Sequence, residues 1–170
     1  LLKETSIHKE GYKLKIEGDK VSITYSDNGG CFYAFQTLMQ LMEKKGKAYT
    51  LPQVAIEDSP NFMFRGFMHD VGRNFQTIED LKRQLDIFAL YKLNVFHWHL
   101  TDHPGWRIEC KAYPILNDPT YQRKGRDQGT FYTYDQIRDL IAYAKARNIL
   151  VIPEIDVPGH SAYFKTAFGF

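Results

Sequence analysis

Lys92-Leu93-Asn94-Val95-Phe96-His97-Trp98-His99-Leu100-Thr101-Asp102 is the stretch that decides the fold. Residues 93–100 read as a strand rich in aliphatic and aromatic side chains, closed by the polar pair Thr101-Asp102. Immediately upstream, Thr77-Ile78-Glu79-Asp80 is a helix start, and Leu81, Leu85, Phe88 and Ala89 form one apolar stripe up to Lys92. Before that helix, residues 65–71 read as another strand. Downstream, Thr133 caps a helix through Ile137, Leu140, Ile141 and Ala144, ending near Asn148. Residues 149–156 read as a third strand, left by the loop Val157-Pro158-Gly159-His160-Ser161.

Strand, helix, strand, helix, strand calls for parallel strands joined by helical crossovers. In a parallel α/β barrel the site is built at the carboxyl ends of the strands. The polar clusters fall there: Asp70 and Arg73 after the first strand, Thr101-Asp102-His103 after the second, Asp156 and His160 after the third. A complete barrel needs about 250 residues, and residues 60–170 hold only three strand-helix steps. The expected fold is α/β, with the first three strand-helix units of a (β/α)8 TIM barrel over 60–170, incomplete. An open doubly wound sheet is the alternative, but Val71-Gly72-Arg73-Asn74 is no G-x-G-x-x-G phosphate loop.

Residues 1–59 carry a different pattern. Tyr12 to Tyr25 alternate apolar and polar on both sides of Gly18-Asp19, which predicts a hairpin with one wet face. Phe32, Phe35, Leu38, Met39, Leu41 and Met42 follow the spacing of an amphipathic helix that ends near Gly46, and a short strand is expected at 53–56. This small α+β, non-catalytic domain closes at Asp58-Ser59-Pro60-Asn61, a turn cluster fit for a linker.

Composition narrows the function. With 44% hydrophobic and 25% charged residues the chain is globular, and 22 basic against 20 acidic residues leave a net charge of +2. Such a balance points away from nucleic acid and anionic membranes as partners. No apolar run approaches the roughly 20 residues that span a bilayer. Cys31 and Cys110 lack metal-ligand spacing and are expected as buried free thiols.

Three groups of residues could carry chemistry. His97-Trp98-His99 places two imidazoles on one strand face, either as zinc ligands of a metal-dependent hydrolase or as hydrogen-bonded interior residues. Glu154 and Asp156 also face one way, roughly 6.6 Å apart between Cα atoms. They suit a glycosidase pair, or buried acids paired to neighbouring bases. Arg65 needs an acceptor, which could be substrate hydroxyls or an internal carboxylate. Trp98 and Trp106 could be sugar platforms, although wall packing is the simpler role.

In combination, Arg65-Gly66, Asp70-Val71-Gly72-Arg73, Lys92 to Asp102, Gly105-Trp106-Arg107 and Ile152-Pro153-Glu154-Ile155-Asp156-Val157-Pro158-Gly159-His160 resemble the family 20 glycoside hydrolases. Phe32 to Leu41 is similar to the helix of that family's non-catalytic domain. The resemblance implies a retaining exo-β-N-acetylhexosaminidase that removes terminal β-linked N-acetylglucosamine or N-acetylgalactosamine, with the substrate's own acetamide as nucleophile and no cofactor or metal. It further implies that Arg65 binds hydroxyls of the terminal sugar, that Asp102 and His160 relay to a catalytic Glu, and that His99, Glu154 and Asp156 support them. Its partner would be an N-acetylhexosamine-terminated glycan, in a secreted, periplasmic or lysosomal-type compartment. The family's His-x-Gly-Gly-Asp-Glu segment has no counterpart here, since Gly29-Gly30 is followed by Cys31, and His103 stands where many relatives have a second Asp. The chain alone is therefore expected to be inactive, and open barrel edges to favour self-association. The rivals are a metal-dependent barrel hydrolase on His97 and His99, and a non-catalytic carbohydrate-binding module.

Overall fold

A computed structural model describes residues 1–169; Phe170, the last residue of the expected second domain, lies outside them. The chain divides into two compact units, Leu1–Arg65 with Ala89–Lys92, and Gly66–Phe88 with the residues from Leu93 on.

In the first unit, β1 (Leu2–Lys3), β2 (Tyr12–Glu17) and β3 (Lys20–Tyr25) precede α1 (Asn28–Leu41), β4 (Glu43–Lys45), β5 (Ala48–Thr50) and β6 (Val54–Asp58). The main sheet has the order β1-β3-β2-β6. Alternation builds it: Tyr12, Leu14 and Ile16 are buried, whereas Lys13, Lys15 and Glu17 are exposed. Gly18, at φ 58°, makes the turn that the following strand requires. Tyr33 and Ala34 of α1 complete a core with Ile23.

Asp27 caps α1, its carboxylate accepting from Gly30 N at 2.9 Å. A methyl on Gly30 would lie 2.2 Å from the Gly11 carbonyl, so only glycine lets the helix approach so closely. The apolar stripe expected of this helix is corrected: Phe35, Met39 and Met42 are exposed. The helix also stops at Leu41 instead of near Gly46. Glu43 pairs with Thr50 and Lys45 with Ala48 around a left-handed Gly46, so that glycine turns a hairpin and does not end a helix.

The second unit holds β7 (Gly66–Asp70), α2 (Ile78–Leu90), β8 (Val95–His99), β9 (Thr101–Asp102), β10 (Gly105–Trp106), α3 (Tyr134–Lys145), β11 (Leu150–Glu154) and α4 (Ala162–Phe168). Two 3-10 turns, Pro114–Asn117 and Pro119–Tyr121, interrupt the long connection before α3. The last residues of α2 fall in the first unit's segment. β11, β8 and β7 form a parallel sheet with β8 in the centre.

Val71, Leu81, Leu85, Phe96, Trp98, Tyr132 and Leu140 are buried in this unit. Trp98 lies against Phe96 and Tyr132, with ring centroids 5.9 and 4.7 Å away, so it packs the interior. α3 begins with a capping box between Thr133 and Gln136, two reciprocal hydrogen bonds that satisfy backbone donors. Cys31 and Cys110 are free and only half-buried. Among the described residues no helix is long and apolar enough to cross a membrane.

Candidate active site

Strand register creates the site. Asp70 on β7 and Glu154 on β11 both pair with His99 on β8, so one row across the sheet reads Asp70, His99, Glu154. In-register residues of a parallel sheet share a face, and all three close their strands at the carboxyl end. His99 is almost wholly buried, with Nδ1 3.5 Å from Asp70 Oδ1 and Nε2 3.7 Å from Glu154 Oε1. His97 sits one row back and its Nε2 meets Glu154 Oε2.

The chain then leaves each strand in a polar turn. Asp70 accepts from Arg73 N at 3.0 Å and from Arg73 Nη1 at 2.7 Å. The other arm of the same guanidinium, Nη2, lies 2.9 Å from Asp102 Oδ2. Asp102 is fully buried, and its Oδ1 accepts from His103 N at 2.6 Å. Arg73 is half-exposed, at 48% of its side chain, so it joins two carboxylates while still facing the mouth of the site.

After β11, Asp156 N donates to Thr101 Oγ1 at 3.2 Å, and Asp156 Oδ2 receives both His160 Nδ1 at 2.8 Å and His99 Nε2 at 3.2 Å. The His160 imidazole holds the Asp156 carboxyl below its ordinary value, against the opposing effect of burial. Asp102 Oδ2 is 3.9 Å from His160 Nδ1, outside hydrogen-bond range. The direct partner of His160 is thus Asp156, the residue four positions earlier. His103, in turn, accepts from Ala162 N at 3.3 Å and stands edge-on to the His160 ring.

Five of the six expected site residues therefore converge: Asp102, His160, His99, Glu154 and Asp156. Arg65 belongs to the first unit. Its guanidinium is bound by Glu10 Oε2 at 2.8 Å, Tyr33 Oη at 3.1 Å and the carbonyls of Phe62 and Lys92 at 2.7 and 2.8 Å. Of its two candidate acceptors, the internal carboxylate is the one in place. Arg73, noted in the sequence only for its position after a strand, is the guanidinium among the site's carboxylates.

Arg107 is the second residue that sequence reasoning missed. Only 1% exposed, it donates Nε to Val71 O at 3.1 Å, Nη2 to Gly72 O at 3.1 Å, and Nη1 to Asp127 O and Thr130 O at 2.9 and 3.0 Å. One planar fork thereby ties the turn after β7 to the loop before α3. Burial lowers its pKa, with the charge of Asp127 opposing that shift. Carbonyls satisfy the charge where a carboxylate would be the usual partner. A fixed cation within an otherwise apolar Gly105-Trp106-Arg107-Ile108 stretch was the available signal.

Among the described residues, the groups whose donor atoms converge closely enough for a metal are His99, Asp156 and His160, and Asp70, His99 and Asp102. Both include His99 and neither includes His97, the other imidazole of the pair on which the metal-hydrolase alternative rests.

Parallel strands that gather four carboxylates, three imidazoles and a guanidinium at their carboxyl ends define an α/β protein with a polar site of the enzyme type. Comparison with known proteins specifies which. Residues 62–169 match the glycosyl hydrolase family 20 catalytic domain, and residues 1–59 match domain 2 of the same family. The chain belongs to glycosyl hydrolase family 20. It is 44% identical to a beta-hexosaminidase of Porphyromonas gingivalis over 91% of this chain and 21% of that protein. With a beta-hexosaminidase of Vibrio furnissii it shares 40% over 92% of this chain and 28% of the relative. The chain thus spans about a quarter of these relatives' length. Among solved structures, the family 20 exo-β-N-acetylglucosaminidase of Vibrio harveyi, in complex with N-acetylglucosamine, superposes with a TM-score of 0.92 at 36% identity, covering 98% of this chain and 28% of that one. The β-N-acetylhexosaminidase of Bacteroides fragilis gives the same TM-score and identity, over 98% and 35%.

Proposed function

We propose that this chain supplies part of the active site of a retaining exo-β-N-acetylhexosaminidase acting on glycans that end in β-linked N-acetylglucosamine or N-acetylgalactosamine. The three parallel strands form the start of a (β/α)8 barrel, and residues 1–59 are the accompanying non-catalytic domain. The observation that carries the reading is the in-register row Asp70, His99, Glu154, continued by Asp102, Asp156 and His160. A barrel site belongs at those strand ends.

In this reaction the substrate's acetamide oxygen attacks the anomeric carbon, so the protein needs no covalent nucleophile. A Glu outside this chain protonates the leaving oxygen. His160, backed by Asp102 and Asp156, sets the protonation of that Glu as it turns from acid to base. His99 and Glu154 hold the two acids in place. Arg65 is committed to Glu10 and Tyr33, which leaves Arg73 as the guanidinium able to grip the hydroxyls of the terminal sugar while keeping Asp70 and Asp102 oriented.

The test is hydrolysis of 4-nitrophenyl N-acetyl-β-D-glucosaminide by the whole parent protein carrying Asp102→Asn or His160→Asn. Each is expected to lower kcat by about 10²–10⁴-fold and to reshape the pH profile, with Tm little changed. Wild-type kcat and pH profile in both variants would sink the relay.

A further inference from the structure

We propose that His99 Nε2, Asp156 Oδ2, His160 Nδ1 and Asp102 Oδ2 form a site for one divalent transition-metal ion of the zinc type, and that the ion inhibits the hydrolase. Zinc bound tetrahedrally by imidazole nitrogen and carboxylate oxygen sets its donors about 3.4 Å apart. Here Asp156 Oδ2 is 2.8 Å from His160 Nδ1 and 3.2 Å from His99 Nε2, while Asp102 Oδ2 is 3.9 Å from His160 Nδ1 and 4.0 Å from His99 Nε2. These four separations lie within about 0.6 Å of the required spacing, and His99, Asp156 and His160 already bring their donor atoms within 4.8 Å of one another, with Asp102 the outlying fourth donor.

Charge and surroundings agree with a cation. Asp70, Asp102, Glu154 and Asp156 all lie within 4.0 Å of the His99 ring nitrogens, and the Arg73 guanidinium reaches two of them, Asp70 and Asp102. Asp70 Oδ1 lies 3.5 Å from the buried, unpartnered His99 Nδ1, close enough that a small shift would let the carboxylate accept the second N–H of a metal-binding imidazole. His160 is nearly half-exposed and gives the ion a way in. The alternative trio of Asp70, His99 and Asp102 is less suited, because Arg73 bridges its two acids. Binding withdraws His160 and Asp156 from proton relay and draws Asp102 from Arg73. The binding stands apart from the hydrolase reading; the inhibition rests on it.

The measurement is titration of the 170-residue chain with zinc chloride, by calorimetry and by competition with a chromophoric chelator. One ion per chain is expected, with affinity weakened at least about tenfold by Asp156→Asn and by His160→Ala. His8→Ala and His97→Ala should leave it unchanged, and circular dichroism verifies that each variant is folded. Absence of saturable binding overturns the site. So does binding that survives both Asp156→Asn and His160→Ala, or that is lost with His97→Ala in a folded chain. In the parent enzyme, zinc should inhibit over the same concentration range and a chelator should restore activity. Binding by the chain without inhibition of an active parent overturns the inhibitory role and leaves the hydrolase reading standing.

Discussion

A methyl group on the Cα of Gly72 would come within 2.8 Å of Asp102 Cβ and 2.9 Å of Asp102 N. Both neighbours belong to the strand end that presents the buried carboxylate, so neither is free to swing aside. Gly72→Ala should therefore displace Asp102 from Arg73 and destabilise the chain by about 1–3 kcal/mol, the usual range for overpacking. Urea denaturation followed by tryptophan fluorescence measures this; an unchanged midpoint would mean that the contact yields at no cost.

Arg107 braces the same turn from the other side. Lysine preserves the charge but cannot reach Val71, Gly72, Asp127 and Thr130 from one plane. Arg107→Lys is expected to cost about 2 kcal/mol or more, because at least one buried carbonyl loses its donor. Hydrogen exchange should locate the loss in the turn after β7 and in residues 122–130, and an effect spread evenly over the unit would argue against the brace.

The two arginines separate by readout. Removing Arg65 breaks an ion pair with Glu10 whose side chains are 16% and 10% exposed, and should lower the Tm of this chain by several degrees. Removing Arg73 leaves the fully buried Asp102 without its guanidinium and should also cost stability, but in the parent enzyme it alone should raise KM, by tenfold or more, as the sugar loses a charged hydrogen bond, about 1.5–3 kcal/mol. The reverse assignment of the two phenotypes would return the sugar clamp to Arg65.

Acid should weaken the first unit through Asp58. Burial alone would raise its carboxyl, but hydrogen bonds from Lys92 at 2.7 Å and Tyr12 at 2.9 Å hold it below its ordinary 3.8. Burial would likewise depress Lys92, which the same partners lift above 10.5. Asp58 thus contributes fully above the unfolded value and loses its contribution as pH falls through the lower folded one; Lys92 is lost only as pH rises beyond 10.5. Because Asp58 is 42% exposed, the effect is about 1 kcal/mol. Chemical denaturation at about pH 3 and about pH 6 should give a smaller difference for Asp58→Asn than for wild type, and equal differences would exclude Asp58 as the source.

The extent to which these features were legible in the sequence follows from the range of the interactions. β8 and α3 were legible because each is set by its own periodicity, and Thr133 announces its helix through a partner three residues away. The strand-end position of Asp102, Asp156 and His160 followed from the same grammar. What could not be read was which cation meets which anion. Arg65 finds Glu10 across 55 positions and Arg107 finds Val71 across 36, distances at which a sequence holds no pairing rule. The β4–β5 hairpin was hidden for a more local reason: an amphipathic stripe running to Met42 masked a glycine that serves both helix ends and tight turns.

The pairing of β8 with both of its neighbours has a further consequence. Side chains alternate along a strand, so sliding β8 by a single residue would set Trp98 or Leu100 where His99 stands between Asp70 and Glu154. It would also take the indole from its place against Phe96 and Tyr132 and leave the buried carboxylates without their imidazole. A chain folded out of step would lose its core and its chemistry together, which makes correct assembly of this sheet a checkpoint that any functional copy of the protein has already passed.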